Sequence, residues 1–542
     1  MNFTRRDFMA STAAVAGASM LPFGPARAAT AKYIRYSATS DEGKAMLRSY
    51  AIAIRRMVDL PPEHPHNWFR NAFVHFMDCP HGNWWFYVWH RGYVGYFEET
   101  VRKYSDKPDS FAFPYWDWTV LPQIPNEMFD GTLTPVSESF LPYTKDLNTF
   151  TAYIKPAMKK YWDTLNAAQR KQLDIRGYSS FDKLWDDVTG CSHGTCDPGN
   201  EAFAATKRAR YLTRENPKLD DKTAKACSPH TVLTGLLPVD YYNQDATRSF
   251  TSSKTVSHNV MPGKDTQFSV LEGQPHNLVH NCIGGVGPWD PGPYGNMTNF
   301  LSPVDPVFFL HHANMDRLWD VWTRKQQRLG LPILPTDREE LSQLSREPFL
   351  FFVRADGSYV LDGRAGEYLS TERFQYEYRH GFGDVETAQV AAAKPSAAVS
   401  ATVPATVKGT VAKNIGSVQL SAASSGPVVM AVKVTRPAGK SAPRTFDLLI
   451  NAPAGVTKVE ADSPYYGGTI GFFGPAMHGM ADDATFTLPL PQATRTAALA
   501  ASPSGQAANA QPAPTTLEVR LVPTHSPTAA PPAIKGVSLH TL

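Results

Sequence analysis

Residues 75–91 read HFMDCPHGNWWFYVWHR, and the way this stretch folds decides whether its three histidines can meet. His81 and His90 stand nine residues apart. At about 100° per residue, a continuous helix would put them on opposite faces. They can converge if His81 precedes the helix, and Pro80 and Gly82 supply the loop that this requires. The helix is therefore expected from about Trp84 to Lys103, with Phe86, His90, Tyr93 and Phe97 on one face. His75 would come from a preceding helix or its end, and His64 and His66 are the fallbacks upstream.

A second group lies downstream. His276 and His280 are four apart, on one face of a helix expected to start near Pro275 and to stop by Gly284 and Gly285. A third helix follows Asp305 and Pro306, with the stripe Phe308, His312, Met315, Trp319 and Trp322. His312 lies on that stripe, and Asp316 is one turn further on. A carboxylate there can accept the far N–H of a ligating imidazole and fix its tautomer. His311 is expected to point about 100° away. A single H-x-x-x-H is a common accident in a chain with 16 histidines, and a lone buried histidine is usually a hydrogen-bonded core residue. Six histidines in two groups of three, without a cysteine or carboxylate placed as a further ligand, are more specific. Imidazole-only coordination suits two copper ions, with zinc as the competing metal.

The remaining sequence sets the frame. At 542 residues the chain is too long for one ordinary core. Residues 29–385 are rich in aromatics and histidine and are expected to form a mainly α domain. Residues 386–410, rich in Ala and Pro, read as a linker. Residues 411–542 read as a smaller β-rich domain, with alternating runs such as Leu517–Val522. A net charge of +3 without a basic stripe argues against a nucleic-acid partner. Beyond the leader no stretch approaches the length of a membrane span. Residues 1–28 resemble a twin-arginine export signal, with Arg5 and Arg6 before a small apolar run and Ala26-Arg27-Ala28 at the cleavage site. A periplasmic or secreted protein is expected. Export permits disulfides. Cys191 could pair with Cys196 and Cys227 with Cys282, which leaves Cys79 over, although sequence does not fix connectivity.

Three segments carry a family resemblance: CPHGNWWFYVWHRGY (79–93), EGQPHNLVH (272–280) and DPVFFLHHANMDRLW (305–319). They resemble the two copper motifs of the tyrosinase and polyphenol oxidase family, and Phe113–Thr119 is similar to a structural segment of it. The resemblance implies a helical bundle with one copper on His75, His81 and His90 and a second on His276, His280 and His312. Dioxygen would be the co-substrate and small phenols the substrates, hydroxylated at the ortho position and oxidised to o-quinones. It implies that Glu272 and Asn277 hold a water that helps to deprotonate the phenol, and that Cys79 forms a thioether to His81. The run Ser463–Phe473 would suit a lid over the site. A catechol or o-aminophenol oxidase without monophenolase activity, a haemocyanin-like oxygen carrier and, more remotely, a zinc hydrolase are the rival readings. The oligomeric state is left open, and a homo-oligomer is allowed.

Overall fold

The computed structural model describes residues 31–542 except 193–194, 197–200, 246, 264–265, 394–405, 409, 413–414, 421–426, 437–442, 476–479, 481–482, 501–514 and 526–531. The export signal expected at 1–28 lies outside the described residues. Five helices position the histidines: α1 (Asp41–Val58), α2 (Trp68–Asp78), α3 (Phe86–Tyr104), α4 (Asn277–Gly284) and α5 (Val307–Leu329). The side chain of Ser40 caps α1 through the Gly43 N–H, and that of Asn67 caps α2 through Phe69 and Arg70. α3 begins two residues later than its apolar face suggests. The Asn83 side chain accepts the Trp85 N–H, and the Trp84 N–H is taken by the Ser253 carbonyl.

α4 also begins late. Residues Glu272–His276 form a single π-helical turn, and Pro275 lies inside that turn rather than opening the α-helix. Such turns are uncommon and cluster at functional sites. α5 differs from its expected stripe as well. It is buried on every face from Val307 to Trp319, because it runs through the middle of the bundle. A helix apolar or buried all round has no distinguishable inner face.

The C-terminal part is a β-sandwich. Chain order gives β1 (Tyr33–Arg35), β2 (Gln267–Phe268), β3 (Tyr376–Tyr378), β4 (Thr406–Lys408), β5 (Thr410–Ala412), β6 (Ile415–Leu420), β7 (Val428–Thr435), β8 (Thr445–Ile450), β9 (Tyr466–Gly471), β10 (Asp483–Pro489), β11 (Thr515–Pro523) and β12 (Ala533–Thr541). One sheet has the order β9-β8-β11-β6-β5, the other β2-β10-β7-β12-β4. They share a core that includes Val418, Val432, Phe446, Leu448 and Phe486. The mainly helical first region and smaller β-rich second region match the expected fold class. β2 belongs to the helical region yet pairs in parallel with β10, through Thr485↔Gln267 and Phe486↔Phe268.

Two expectations are corrected. The supposed linker is entered from both ends, by α6 (Asp384–Ala393) and by β4 and β5, leaving residues 394–405 outside the described part. Cys227 and Cys282 are free and buried instead of bridged. Burial pushes both thiols well above their ordinary range, and oxidation needs the thiolate. Cys191 is disulfide-bonded and stands opposite Cys196 in a two-stranded hairpin. Among the described residues no helix is long and apolar enough to cross a membrane.

Candidate metal centre

α2 delivers His75, the loop before α3 delivers His81, and α3 delivers His90. Their rings lie 5.5 Å apart, centroid to centroid, in all three pairings. α4 holds His280 just after the π-turn that ends in His276, and these rings are 4.6 Å apart. α5 brings His312 between the groups: its ring stacks on His90 at 4.2 Å and lies 5.1 Å from His276. All six side chains are buried. His64 and His66, the fallbacks, are elsewhere. His66 is held by the Tyr104 hydroxyl and the Arg354 carbonyl.

Hydrogen bonds fix which ring nitrogen is free. His75 Nδ1 donates to the Phe300 carbonyl at 2.8 Å, and His90 Nδ1 to the Phe86 carbonyl at 2.7 Å. Both Nε2 atoms therefore carry lone pairs, and these face each other at 3.4 Å. His280 Nδ1 donates to the Met297 carbonyl, and its Nε2 is 3.3 Å from that of His312. His81 Nε2 and His276 Nε2 are buried with no partner. Burial opposes protonation as a relief for this crowding. Burial, reinforced for most of the six by the neighbouring imidazoles, lowers all six, with His276 down to about 3. Neutral imidazoles that share a pocket lone pair to lone pair suit soft-to-borderline metal cations, copper among them.

Two sequence readings change here. Asp316 does not touch His312, whose Nδ1 has no partner. It accepts instead from Arg91, Arg35, Tyr376 and Tyr378. Two guanidiniums outcompete one neutral imidazole for a buried carboxylate. Nor does His311 point away. One of its nitrogens falls within 4.8 Å of donor atoms of His276, His280 and His312, and neither ring nitrogen has a partner.

Glu272 and Asn277 flank the second group without bonding to each other. The Glu272 carboxylate accepts from Gly82 N at 2.6 Å and from Ser252 Oγ at 2.5 Å. Burial lifts it to about 8 despite these donors. Asn277 Oδ1 accepts from His276 Nδ1 at 2.9 Å, and its Nδ2 donates to the Gly471 carbonyl at 3.1 Å. Cys79 is free and buried, with Sγ 3.5 Å from His81 Nδ1 and 3.3 Å from Arg176 Nη2.

The aromatic pair just past the end of β9, Phe472 and Phe473, leads to the centre. Phe473 lies 4.8 Å from His81, 4.7 Å from His280 and 5.7 Å from His276, ring to ring. The space left beside it is a cavity of about 20 Å3, lined by His81, Phe268, Phe300, Phe472, Phe473 and Met480 among others. That is room for one water, whereas ligand pockets run to roughly 300 Å3 and more.

Sequence reasoning missed a buried ion cluster below the first group. His258 Nδ1 meets Glu347 at 2.7 Å and its Nε2 meets Asp78 at 3.0 Å. Asp78 also accepts from Trp89 Nε1, so the cluster pins the end of α2 to α3. Burial lowers His258, but Asp78 and Glu347 outweigh it and lift the group to about 9, above the ordinary 6.5. A raised histidine stabilises the fold fully below its unfolded value and loses that contribution as pH rises through the folded one. Stability should therefore fall between about pH 6.5 and 9, by roughly 3 kcal/mol in all, and thermal midpoints with it, and less steeply in His258→Gln. Equal slopes in the two proteins would refute the assignment.

The family profile for tyrosinase, described as the common central domain of tyrosinase, matches residues 55–325, half of the chain. The protein belongs to the tyrosinase family. It is 24% identical over 366 residues to a chloroplastic polyphenol oxidase of Spinacia oleracea, covering 62% of this chain and 45% of that one. It is 25% identical over 254 residues to the tyrosinase HcTyr1 of a Hahella species, covering 46% and 38%. The chain thus spans less than half the length of these relatives. Among solved structures, a latent aurone synthase (polyphenol oxidase) from natural source is similar in fold, with a TM-score of 0.52 at 18% identity, covering 97% of this chain and 93% of that one.

Proposed function

We propose that this protein is a binuclear copper phenol oxidase, with His75, His81 and His90 holding one ion and His276, His280 and His312 the other. The observation that carries this reading is the pair of Nε2 lone pairs facing at 3.4 Å between His75 and His90, in a cluster whose burial holds both imidazoles well below their ordinary range. When bound, a copper pair supplies the electron chemistry that lets dioxygen oxidise a phenol.

The chain's own groups supply position and proton transfer. A phenol has a pKa near 10 and is delivered more easily as phenolate. Glu272, raised to about 8, sits between an ordinary carboxylate and the phenol, and Ser252 and Gly82 orient it. In this reading it takes the phenol proton through a water shared with Asn277. Phe86, Phe300 and Phe308 surround the histidines and exclude bulk water. Phe473 acts as a plug that keeps the enzyme latent until the β-domain moves. Cys79 Sγ and a ring carbon of His81 join as a thioether, the thiol and ring hydrogens leaving in a two-electron oxidation by dioxygen, the co-substrate; a tryptic fragment lighter by two hydrogen atoms than its sequence mass would report the bond, and the full mass would exclude it.

The test is a parallel assay of the copper-loaded protein with a monophenol and the matching o-diphenol, alongside metal analysis. Oxidation of both identifies a tyrosinase activity, and oxidation of the diphenol alone a catechol oxidase. Zinc in place of copper, or reversible oxygen binding with no turnover of either phenol, would refute the proposal.

A further inference from the structure

The second histidine group is fastened to the β-domain by a row of side-chain amides. Gln274 Nε2 donates to the Thr469 carbonyl at 3.1 Å, Asn277 Nδ2 to Gly471 at 3.1 Å, and Asn281 Nδ2 to Phe472 at 3.2 Å. Positions 277 and 281 share one face of α4, and 274 lies in the π-turn that leads into it. β9 is the edge strand of its sheet, so its outward carbonyls have no neighbouring strand to accept from. The amides of Gln274 and Asn277 take that neighbour's place, and that of Asn281 continues the row onto Phe472, just past the strand. Gly471 permits the approach: a Cβ there would lie 2.8 Å from the Leu278 side chain and 3.0 Å from the Asn281 amide nitrogen.

Asn277 sits in the middle of this row. Its oxygen is taken by His276 and one of its two amide hydrogens is given to Gly471. We propose that the row is a specificity latch. While β9 is docked, the Asn277 carboxamide is pinned through both its oxygen and its nitrogen and cannot turn to meet a water or phenol in the site, so the chain handles o-diphenols alone even when the space over the histidines is open. Parting β9 from α4 returns the amide and admits monophenols. Moving the Phe473 ring is therefore not sufficient for hydroxylation. This inference rests on the phenol oxidase reading and on the water-holding role of Asn277 within it.

The experiment uses the copper-loaded full-length chain. Phe473→Gly opens the space and leaves the row intact. Phe473→Gly combined with Gln274→Met and Asn281→Leu keeps the side-chain shapes and removes two donors. The monophenol-to-diphenol rate ratio should be at least about ten-fold higher in the combined variant, the lower range for gaining a positioned proton acceptor. Hydrogen exchange of residues 466–473 should quicken by roughly ten- to thirty-fold, as expected for two lost hydrogen bonds. If the combined variant fails to fold, Phe473→Gly with Gly471→Ala parts the same contact from the β-domain side, with the same outcomes expected. Equal ratios, or unchanged exchange, with normal diphenol turnover overturn the latch alone. No oxidation of either phenol by any copper-loaded variant overturns the phenol oxidase reading and the latch's effect on specificity with it.

Discussion

His90→Ala should lower bound copper from about two ions per chain to about one and abolish turnover of both phenols. His90 is the ring that ties the two groups together. It contacts His75 and His81 on one side and stacks on His312 at 4.2 Å on the other. Its Nδ1 is spent on the Phe86 carbonyl, so Nε2 is the one atom it can offer a metal. Losing a mere hydrogen-bond partner of a ligand already costs metal sites about 10- to 100-fold in affinity, so losing a ligand should exceed about 100-fold. The fold itself should survive, because the substitution also removes one of the crowded lone pairs. Metal analysis and thermal melting of the apo-protein check both halves. Two coppers retained, or an apo-protein markedly less stable than the parent, would contradict the assignment.

Phe473→Gly should raise diphenol oxidation about thirty- to hundred-fold. The ring is buried against His81, His280 and Phe300. Burying a phenylalanine is worth roughly 2–3 kcal/mol. Substrate must displace it, because the remaining cavity of about 20 Å3 admits no phenol. Removing the ring removes that cost, and each 1.4 kcal/mol is about a factor of ten. Initial rates at matched copper content give the answer. A variant no faster than the parent would show that the ring does not limit access.

Much of the metal centre is legible in the sequence because it depends on local periodicity. A spacing of nine from His81 to His90 forces a loop before a helix, and a spacing of four from His276 to His280 sets one face. What local pattern cannot supply is the identity of partners distant along the chain. Asp316 has the right spacing to serve His312, yet Arg35, far upstream, and Tyr376 and Tyr378 downstream claim it together with Arg91. The choice between His311 and His312 relies on a stripe, and a fully buried helix has none. The β-rich domain is readable from alternation, whereas β2 is too short to show any. The cluster of Asp78, His258 and Glu347 joins three segments whose charges look unremarkable one at a time.

The pairing of β2 with β10 has a consequence for how the two domains part. The border of one sheet is completed by a borrowed strand and that of the other by borrowed side chains. Neither border is finished within the β-domain itself. Separation thus leaves two adhesive rims open to solvent, with unpaired backbone groups able to recruit another chain. Self-association then competes with return to the original seat. On the proposed reading of Phe473 as a plug, activation by this route is expected to behave as a one-way event.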